Sequence, residues 1–180
     1  MPPRAAPEVI ETARLLLRRP AAADAVQIFT RYASDRDVTQ YLAWPRHASL
    51  ADTEMFLDFS NVEWRLQGCG PYLVFPRDAG VLLGATGLSI AGDDHAETGY
   101  VFARDAWGFG YATEVLRAMV ALARSIGLRT LHAQCHPDHH ASMHVLDKGG
   151  FMLEHRSHNA YVFPNIGPSK QDVLSYICEL

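Results

Sequence analysis

The stretch Tyr100-Val-Phe-Ala-Arg-Asp-Ala-Trp-Gly-Phe-Gly-Tyr-Ala-Thr-Glu114 decides how the rest of the chain is interpreted. Its first three residues have the apolar character of a strand end, and Gly108 and Gly110 bracket a tight turn. Residues 113–124 then carry a helical apolar pattern. Glycines before a helix let backbone N–H groups face outward without a Cβ in the way. Because the first N–H groups of a helix have no partners within it, the stretch predicts a binding site for a phosphate-bearing ligand.

Two common nucleotide signatures fit this stretch poorly. The P-loop requires Lys followed by Ser or Thr after its last glycine, whereas Tyr111 and Ala112 follow Gly110. The Rossmann fingerprint requires an acidic residue on the next strand, and residues 129–136 contain no carboxylate. A nucleotide-binding module is therefore a weak alternative.

The string Trp107-Gly-Phe-Gly-Tyr-Ala-Thr-Glu114 instead resembles the coenzyme A pyrophosphate loop of the GNAT N-acetyltransferases. It is most similar to the RimJ/RimL subgroup, which acetylates the N-termini of ribosomal proteins. Further similar landmarks span the chain from about residue 11 to its end: Thr12-Ala-Arg-Leu-Leu-Leu-Arg, Tyr41-Leu-Ala-Trp-Pro, Gly99-Tyr, Ser142-x-x-Val-Leu, Gly150-Phe and Asp172-Val-Leu-x-Tyr. The resemblance implies acetyl-CoA as co-substrate and direct transfer of acetyl to a primary amine in a ternary complex.

The composition bounds the class of protein. A chain of 180 residues is long enough for one domain with a substantial core. A formal charge of −4 without a Lys/Arg block makes nucleic acid an unexpected partner. No apolar run approaches about 18 residues and no signal peptide is evident, so we expect no membrane span. The three cysteines Cys69, Cys135 and Cys178 lack CxxC spacing, which favours reduced thiols in a cytoplasm.

The order of predicted elements is β-α-α-βββ-α-β-α-ββ, an α+β plan with a mixed, mostly antiparallel sheet flanked by helices. It is also the order of the GNAT fold. We expect a flexible N-terminal arm at residues 1–10 and a single acetyltransferase domain at residues 11–180. The first helix is predicted to bury Val26, Ile28, Phe29 and Tyr32. The second begins with a capping box from Ser49 to Asp52, stops at Gly68 and carries Met55, Phe56, Phe59, Val62 and Leu66 at helical spacing.

The resemblance and simple chemistry together suggest the catalytic groups. An amine is mostly protonated at neutral pH, so a general base or a water chain assists its attack. Glu97, on the strand that leads to the glycine turn, is the candidate base if it is partly buried, and a structural or solvated carboxylate is the equally weighted alternative. In the family this strand bulges and splays from its neighbour. The matching peptide groups, expected to polarise the carbonyl and bind the pantetheine arm, are those of Phe102 and Ala103.

The resemblance assigns the CoA pyrophosphate to the main chain that opens the central helix. The residues implied are Trp107, Gly108, Phe109, Gly110, Tyr111, Ala112 and Thr113. Two positions depart from the family pattern. His139 stands where an Asn often contacts the pantetheine arm, and Leu146 stands where many members place a Tyr as the acid for the departing thiolate. Ser142 is the alternative acid and CoA contact, with a simple N-cap as the competing interpretation.

Other candidates are weighed against plainer roles. His136, His139, His140 and His144 are close in sequence, but surface or capping histidines are favoured over a metal site, and we expect no metal. Tyr41 and Trp44 are candidates to line an acceptor pocket, whereas Trp64 is expected in the core. Cys135 and Cys178 are expected near the core, and Cys69 in an exposed loop.

Two functional hypotheses from different classes stay open at this point. The leading one is an N-acetyltransferase acting on a protein N-terminus or a small amine. The rival is a non-catalytic acyl-CoA sensor of the same fold, which the departures at His139 and Leu146 keep in view. A homodimer is also left open, and the acceptor is expected to depend on the first two helices and the loop at residues 157–170.

Overall fold

The computed structural model describes residues 5–78 and 80–180. One eight-stranded sheet runs through the molecule in the order β1-β2-β3-β4-β5-β6-β8-β7. The strands are Val9–Glu11 (β1), Leu15–Arg18 (β2), Pro71–Pro76 (β3), Gly84–Ile90 (β4), His95–Phe102 (β5), Thr130–Cys135 (β6), Met152–Val162 (β7) and Lys170–Glu179 (β8). The helices are Ala25–Ile28 (α1), Arg36–Thr39 (α2), Leu50–Gln67 (α3), Tyr111–Ser125 (α4) and His140–Lys148 (α5).

The sheet is antiparallel except where β5 and β6 pair in parallel, so the predicted α+β architecture is confirmed. The parallel pair is joined through α4, because a parallel connection requires a crossover longer than a hairpin turn. β7 continues to Val162, beyond the predicted residue 155, so much of the loop expected at residues 157–170 is strand. None of the helices in the described part of the chain combines the length and apolar composition of a membrane span.

The N-terminal arm is shorter than predicted. Residues 1–4 lie outside the described residues. Residues 9 and 10 belong to β1 and pair with β2, and the N–H of Ala6 donates to the Gly68 carbonyl at 2.9 Å. The sequence pattern missed this strand because three residues are too few to show an alternation.

The apolar periodicity of α3 misidentified its buried face. The capping box is present, with Asp52 Oδ2 accepting from the Ser49 N–H at 2.9 Å. The buried residues of the helix are Thr53, Leu57, Ser60 and Trp64. Met55 and Leu66, in contrast, are 70% and 71% exposed. Small polar side chains at the contact with the sheet account for the error, since hydropathy scores them as surface residues. Trp64 lies in the core as expected, and its Nε1–H donates to the Pro71 carbonyl at 2.9 Å.

The buried face of the segment around α1 also differs from the predicted one. A five-residue π-helical stretch, Phe29–Ala33, follows α1 and moves the helix face relative to the periodicity of a regular α-helix. Ile28 and Tyr32 are buried as predicted, but Val26 is exposed. The extra buried positions are two alanines, Ala25 and Ala33.

The sheet separates two apolar clusters, one on each face. On one face α4 contributes its buried residues Val115, Leu116, Met119, Val120, Leu122 and Ala123. On the other, α1 and α3 pack against Leu73, Phe75 and Ala85. Alternation along β5 sends Tyr100 and Phe102 towards the α4 face and Val101 towards the α1 face. Cys69, expected to be exposed, is fully buried beside Cys135 and Cys178 in the same cluster as α4.

Candidate functional site

The sheet splits open beside β5. Parallel pairing between β5 and β6 covers only three residue pairs and stops at Glu97↔His132. Beyond that point β6 continues against β8, whereas residues 98–102 of β5 pair only with β4. The register between β4 and β5 runs without interruption from Ile90↔Ala96 to Gly84↔Phe102, so the predicted splay is present but the predicted bulge is not. A strand edge with free peptide groups results at the centre of the sheet.

At the end of β5, the peptide groups that are free to bind a ligand differ from those predicted from the sequence. The Ala103 N–H donates to the Leu83 carbonyl at 2.8 Å, and its carbonyl accepts from Ala106 at 2.9 Å. The prediction that Ala103 supplies a free peptide group is therefore wrong. Because neighbouring residues of a strand point their N–H groups to opposite edges, those of Phe102 and Tyr100 face the split. The Phe102 carbonyl, on this same edge, accepts from Trp107 Nε1 at 2.8 Å.

The glycine turn and the start of α4 form the second part of the site. Gly108 and Gly110 have φ of +81° and +78°, the left-handed region that glycine adopts most readily. The first helical hydrogen bond runs from the Glu114 N–H to the Gly110 carbonyl, at 3.1 Å. The N–H groups of residues 111–113 consequently point out of the helix end without an intrahelical partner. The positive end of the helix dipole adds to their attraction for an anion.

Side chains from the connection between β1 and β2 bind this end of α4; we call the contacts of Thr12 and Arg14 with Glu114 the latch. Glu114 accepts from the Thr12 hydroxyl at 2.6 Å and from Arg14 Nε at 2.7 Å. Arg14 also donates to the Phe109 carbonyl at 2.9 Å and lies 4.8 Å from the centre of the Tyr111 ring. Burial alone would raise the pKa of Glu114, but the hydrogen bonds from Thr12 and Arg14 outweigh it and hold that pKa below its usual range. Sequence reasoning missed Arg14, since about 100 residues separate it from its partner.

Two hydroxyl groups meet on the α4 face of the split. The Tyr100 hydroxyl lies 2.9 Å from Ser142 Oγ and 3.2 Å from the Ser142 carbonyl oxygen. Burial raises the pKa of Tyr100, so its phenol keeps its proton. Ser142 is the third residue of α5, whose N-cap is His139, so the interpretation of Ser142 as an N-cap is wrong. Tyr100 is a further site residue: the sequence placed it in the Gly99-Tyr landmark but gave it no catalytic or binding role.

His139 and Glu97 complete the set of predicted side chains near the split. The His139 ring stacks on Tyr41, with ring centres 4.8 Å apart. Burial, together with His136 and His140, lowers the pKa of His139 to about 4, so it is uncharged at neutral pH. Glu97 lies on the opposite face of the sheet from Tyr100, at the last pair before the split. Its side chain is exposed, so the partial burial on which its predicted role as a base depended is absent.

The remaining histidines have ordinary structural partners. His136 Nε2 lies 2.7 Å from Gln171 Oε1, and the ring stacks on Tyr41 at 5.0 Å. His140 and His144 are exposed on α5. Among the residues that the structure describes, no group of His, Cys, Asp or Glu is arranged to hold a metal ion.

A cavity of about 550 Å³ follows the split and extends over the α1–α3 face, and its lining on β5 ends at Val101, short of the start of α4. It reaches Tyr100, Ser142 and Leu146 on one side of the split and Glu97 on the other. Tyr41 and Trp44 line it as predicted, and Phe56, Phe59, Tyr161 and Phe163 add further rings. Leu146 is buried and supplies no acidic proton. The cavity can hold a thioester along the β5 edge while a second molecule approaches from the aromatic side.

Comparison with known proteins places this arrangement in context. The family model described as an acetyltransferase (GNAT) domain matches residues 14–152. The uncharacterized N-acetyltransferase YoaA of Bacillus subtilis (strain 168) is 30% identical over 173 residues, which cover 94% of this chain and 96% of the relative.

Two solved structures share the fold. The microcin C7 self-immunity acetyltransferase MccE, in complex with acetyl-CoA and AMP, superposes with a TM-score of 0.85 and 17% identity, and each chain is 97% covered. A Salmonella typhimurium acetyl transferase that modifies the N-terminal serine of ribosomal protein L7/L12 has a TM-score of 0.84 and 20% identity, covering 96% of this chain and 99% of the other. At these identities the likeness concerns the fold alone.

Proposed function

Because this chain belongs to the acetyltransferase (GNAT) domain family, we propose that it transfers acetyl from acetyl-CoA directly to a primary amine held in the aromatic cavity. The observation that carries the proposal is the split between β5 and β6, which leaves a free strand edge along the cavity, with the glycine turn and the start of α4 following the same strand. Membership of the RimJ/RimL-like subgroup is part of the proposal, supported by the string Trp107–Glu114 and by the L7/L12-modifying structural neighbour.

The start of α4 and the free edge of β5 together suit the diphosphate and the pantetheine arm of CoA. The free N–H groups of residues 111–113 suit a diphosphate, with the turn at Gly108 and Gly110 beside them. A Cβ built at Gly108 meets nothing within 4 Å, so the turn leaves open space for a ligand. From this helix end the free edge of β5 leads to Ser142, and the peptide N–H groups along it suit the amide-bearing pantetheine arm.

The acyl step requires groups on both faces of the sheet. The amine nitrogen forms its bond to the thioester carbonyl carbon from the cavity side, and the Phe102 N–H stabilises the developing oxyanion. The C–S bond breaks towards the α4 face, where Ser142 donates a proton to the sulfur and is reprotonated by Tyr100 or water. The surplus proton of the amine passes through water to Glu97, which lines the cavity on its other side and, as an exposed carboxylate, relays the proton to solvent instead of acting as a buried base.

The split between β5 and β6 explains how groups on opposite faces of the sheet can act on one substrate. Tyr100 and Glu97 point to opposite faces of one strand, so an intact sheet would separate them. Because β6 leaves β5 at Glu97, both side chains reach the same cavity. A thiol has a pKa near 8.5, so its thiolate leaves readily, and a hydroxyl pair is a sufficient acid.

A single assay tests the proposal. Thiol release from acetyl-CoA is measured across a panel of small amines and N-terminal peptides, with product mass confirming one added acetyl group. We expect turnover with at least one amine and none without an amine. Tight CoA binding with no thiol release for any acceptor would refute the transferase and favour the acyl-CoA sensor.

A further inference from the structure

Resting on the proposed function, a second inference concerns the acceptor, because the charges around the cavity all have one sign. Among the described residues that line it, the acidic ones are Glu63 and Glu97, and none is Lys or Arg. Glu63 is half-buried, and its carboxylate accepts from Gln67 at 3.1 Å and Ser89 at 3.4 Å. No side chain of those lining residues therefore offers a cation to an anionic group on the acceptor.

The histidines of the lining do not supply that cation either. Burial lowers the pKa of His47, and its Nδ1 lies 2.8 Å from the Thr53 hydroxyl. His139 is still more strongly held in its neutral form, with a pKa of about 4. Both rings lie against aromatic neighbours: His47 is tilted against Trp44, with ring centres 5.2 Å apart, and His139 stacks on Tyr41 at 4.8 Å.

Two arginines on neighbouring elements are engaged by carboxylates, and a third, Arg46, is exposed in the loop between the lining residues Trp44 and His47. Arg31, next to the lining residue Tyr32, donates to Asp105 at 2.7 and 3.0 Å and to the Leu82 carbonyl at 2.9 Å. Arg104 likewise donates to Asp35 at 2.9 Å. Turning either guanidinium towards the cavity would leave its carboxylate partner unpaired.

The far end of the cavity is aromatic, and the Asn165 side chain ties together two segments near it. The rings are those of Tyr41, Trp44, Phe56, Phe59, Tyr161 and Phe163. Asn165 donates to the carbonyls of Thr39 at 2.7 Å and Trp44 at 2.9 Å, and it accepts from the Arg46 N–H at 2.7 Å. These three bonds join residues 39–46 to the β7–β8 loop. The cavity volume of about 550 Å³ is in the range of small-molecule sites, which favours a compact acceptor over an extended peptide.

We propose that the acceptor is a compact primary amine with an aromatic or apolar body and no anionic group. The ammonium is attracted by Glu63 and Glu97, and the rings pack on the body. An acceptor carboxylate would face two like charges without a counter-ion among the lining side chains. At separations of about 6–8 Å and an effective dielectric constant of about 40, between that of a protein surface pair and that of water, the two repulsions together correspond to roughly 30- to 100-fold weaker binding.

A matched pair of ligands isolates the charge. 4-(2-Aminoethyl)benzamide and 4-(2-aminoethyl)benzoate have the same size, and the ring separates the variable group from the amine, so their ammonium groups titrate similarly. Calorimetric titration of each into the full-length protein saturated with CoA is expected to give roughly 30- to 100-fold tighter binding of the carboxamide. Equal binding of the two, tighter binding of the carboxylate or no binding of either would overturn the inference.

A variant pair locates the source of the repulsion. Glu63→Gln is expected to narrow the carboxamide-to-carboxylate ratio by about three- to tenfold. Glu54→Gln, the same charge change at an exposed position of the same helix, should leave the ratio unchanged. An identical carboxamide-to-carboxylate ratio in both variants would contradict the role of Glu63. Tighter binding of the peptide Phe-Gly-Gly-amide than of the carboxamide would contradict a compact acceptor. Because the readout is binding, it is independent of thiol release, which tests the transferase activity separately.

Discussion

Replacing Gly110 by alanine tests whether the main chain at the start of α4 binds a diphosphate. Gly127, just beyond the other end of the same helix, supplies a matched control, since the two φ angles are +78° and +80°. A Cβ at Gly110 would approach Arg14 Nη2 at 3.6 Å, an ordinary contact, and one at Gly127 would meet nothing within 4 Å. Neither substitution therefore introduces a clash within the protein.

Both variants should lose the same modest amount of stability. A non-glycine residue in the left-handed region costs about 1–2 kcal/mol. The reduced freedom of the unfolded chain returns about 0.4–1 kcal/mol, which leaves a net loss near 1 kcal/mol. For a chain of this size that corresponds to a fall in Tm of about 2–4 °C.

Only Gly110→Ala should affect CoA. The new methyl group lies beside the N–H groups of residues 111–113, where the diphosphate is proposed to sit. We expect the Kd for CoA to rise about tenfold or more, equivalent to about 1.4 kcal/mol. Gly127→Ala should bind CoA normally, and Phe109→Ala should weaken binding less than Gly110→Ala.

Isothermal titration calorimetry with CoA, paired with thermal unfolding of each variant, provides the measurement. The comparison is made well below both melting temperatures so that all variants are folded. Wild-type affinity in Gly110→Ala, or an equal loss in Gly127→Ala, would show that the helix end does not bind the diphosphate.

Three further changes test other parts of the site. Tyr100→Phe removes the hydroxyl 2.9 Å from Ser142 Oγ and should lower kcat about tenfold, a modest effect because thiolates leave readily; a raised KM with unchanged kcat would contradict the role as an acid. Glu114→Gln should reduce the free energy of unfolding in urea by about 1–2 kcal/mol, discounted because Arg14 is half-exposed, and unchanged stability would show that the latch carries no energy. The third change concerns pH. Because the folded-state pKa of His139 is depressed from 6.5 to about 4, the unfolded chain binds the extra proton first as pH falls. The stability from this group is therefore present above pH 6.5 and lost towards pH 4, by at most about 3 kcal/mol. His139→Asn should flatten that part of the pH–stability curve, and an unaltered curve would assign the loss to other groups.

The parts of the molecule that sequence reasoning identified are those with a local physical cause. The left-handed conformations at Gly108 and Gly110 and the unpaired N–H groups of a helix start depend on a few consecutive residues. The apolar face of α4 was recognised for the same reason, because its buried residues are all large or aliphatic and follow one period. The predicted buried face of α3 was wrong because Thr53 and Ser60 fill close contacts that periodicity does not score.

The sequence by itself determined the family, the glycine turn before α4 and the order of the elements from β2 onward. Tertiary structure alone decided which distant groups meet: Arg14 with Glu114, Tyr100 with Ser142, and Glu97 with the same cavity as both hydroxyls. It also decided that β6 leaves β5 after three pairs, which turns a continuous sheet into a site with access from both faces. The physical reason is that backbone conformation and amphipathic period are encoded within a few residues, whereas a contact across 42 or 100 positions depends on how the whole sheet packs.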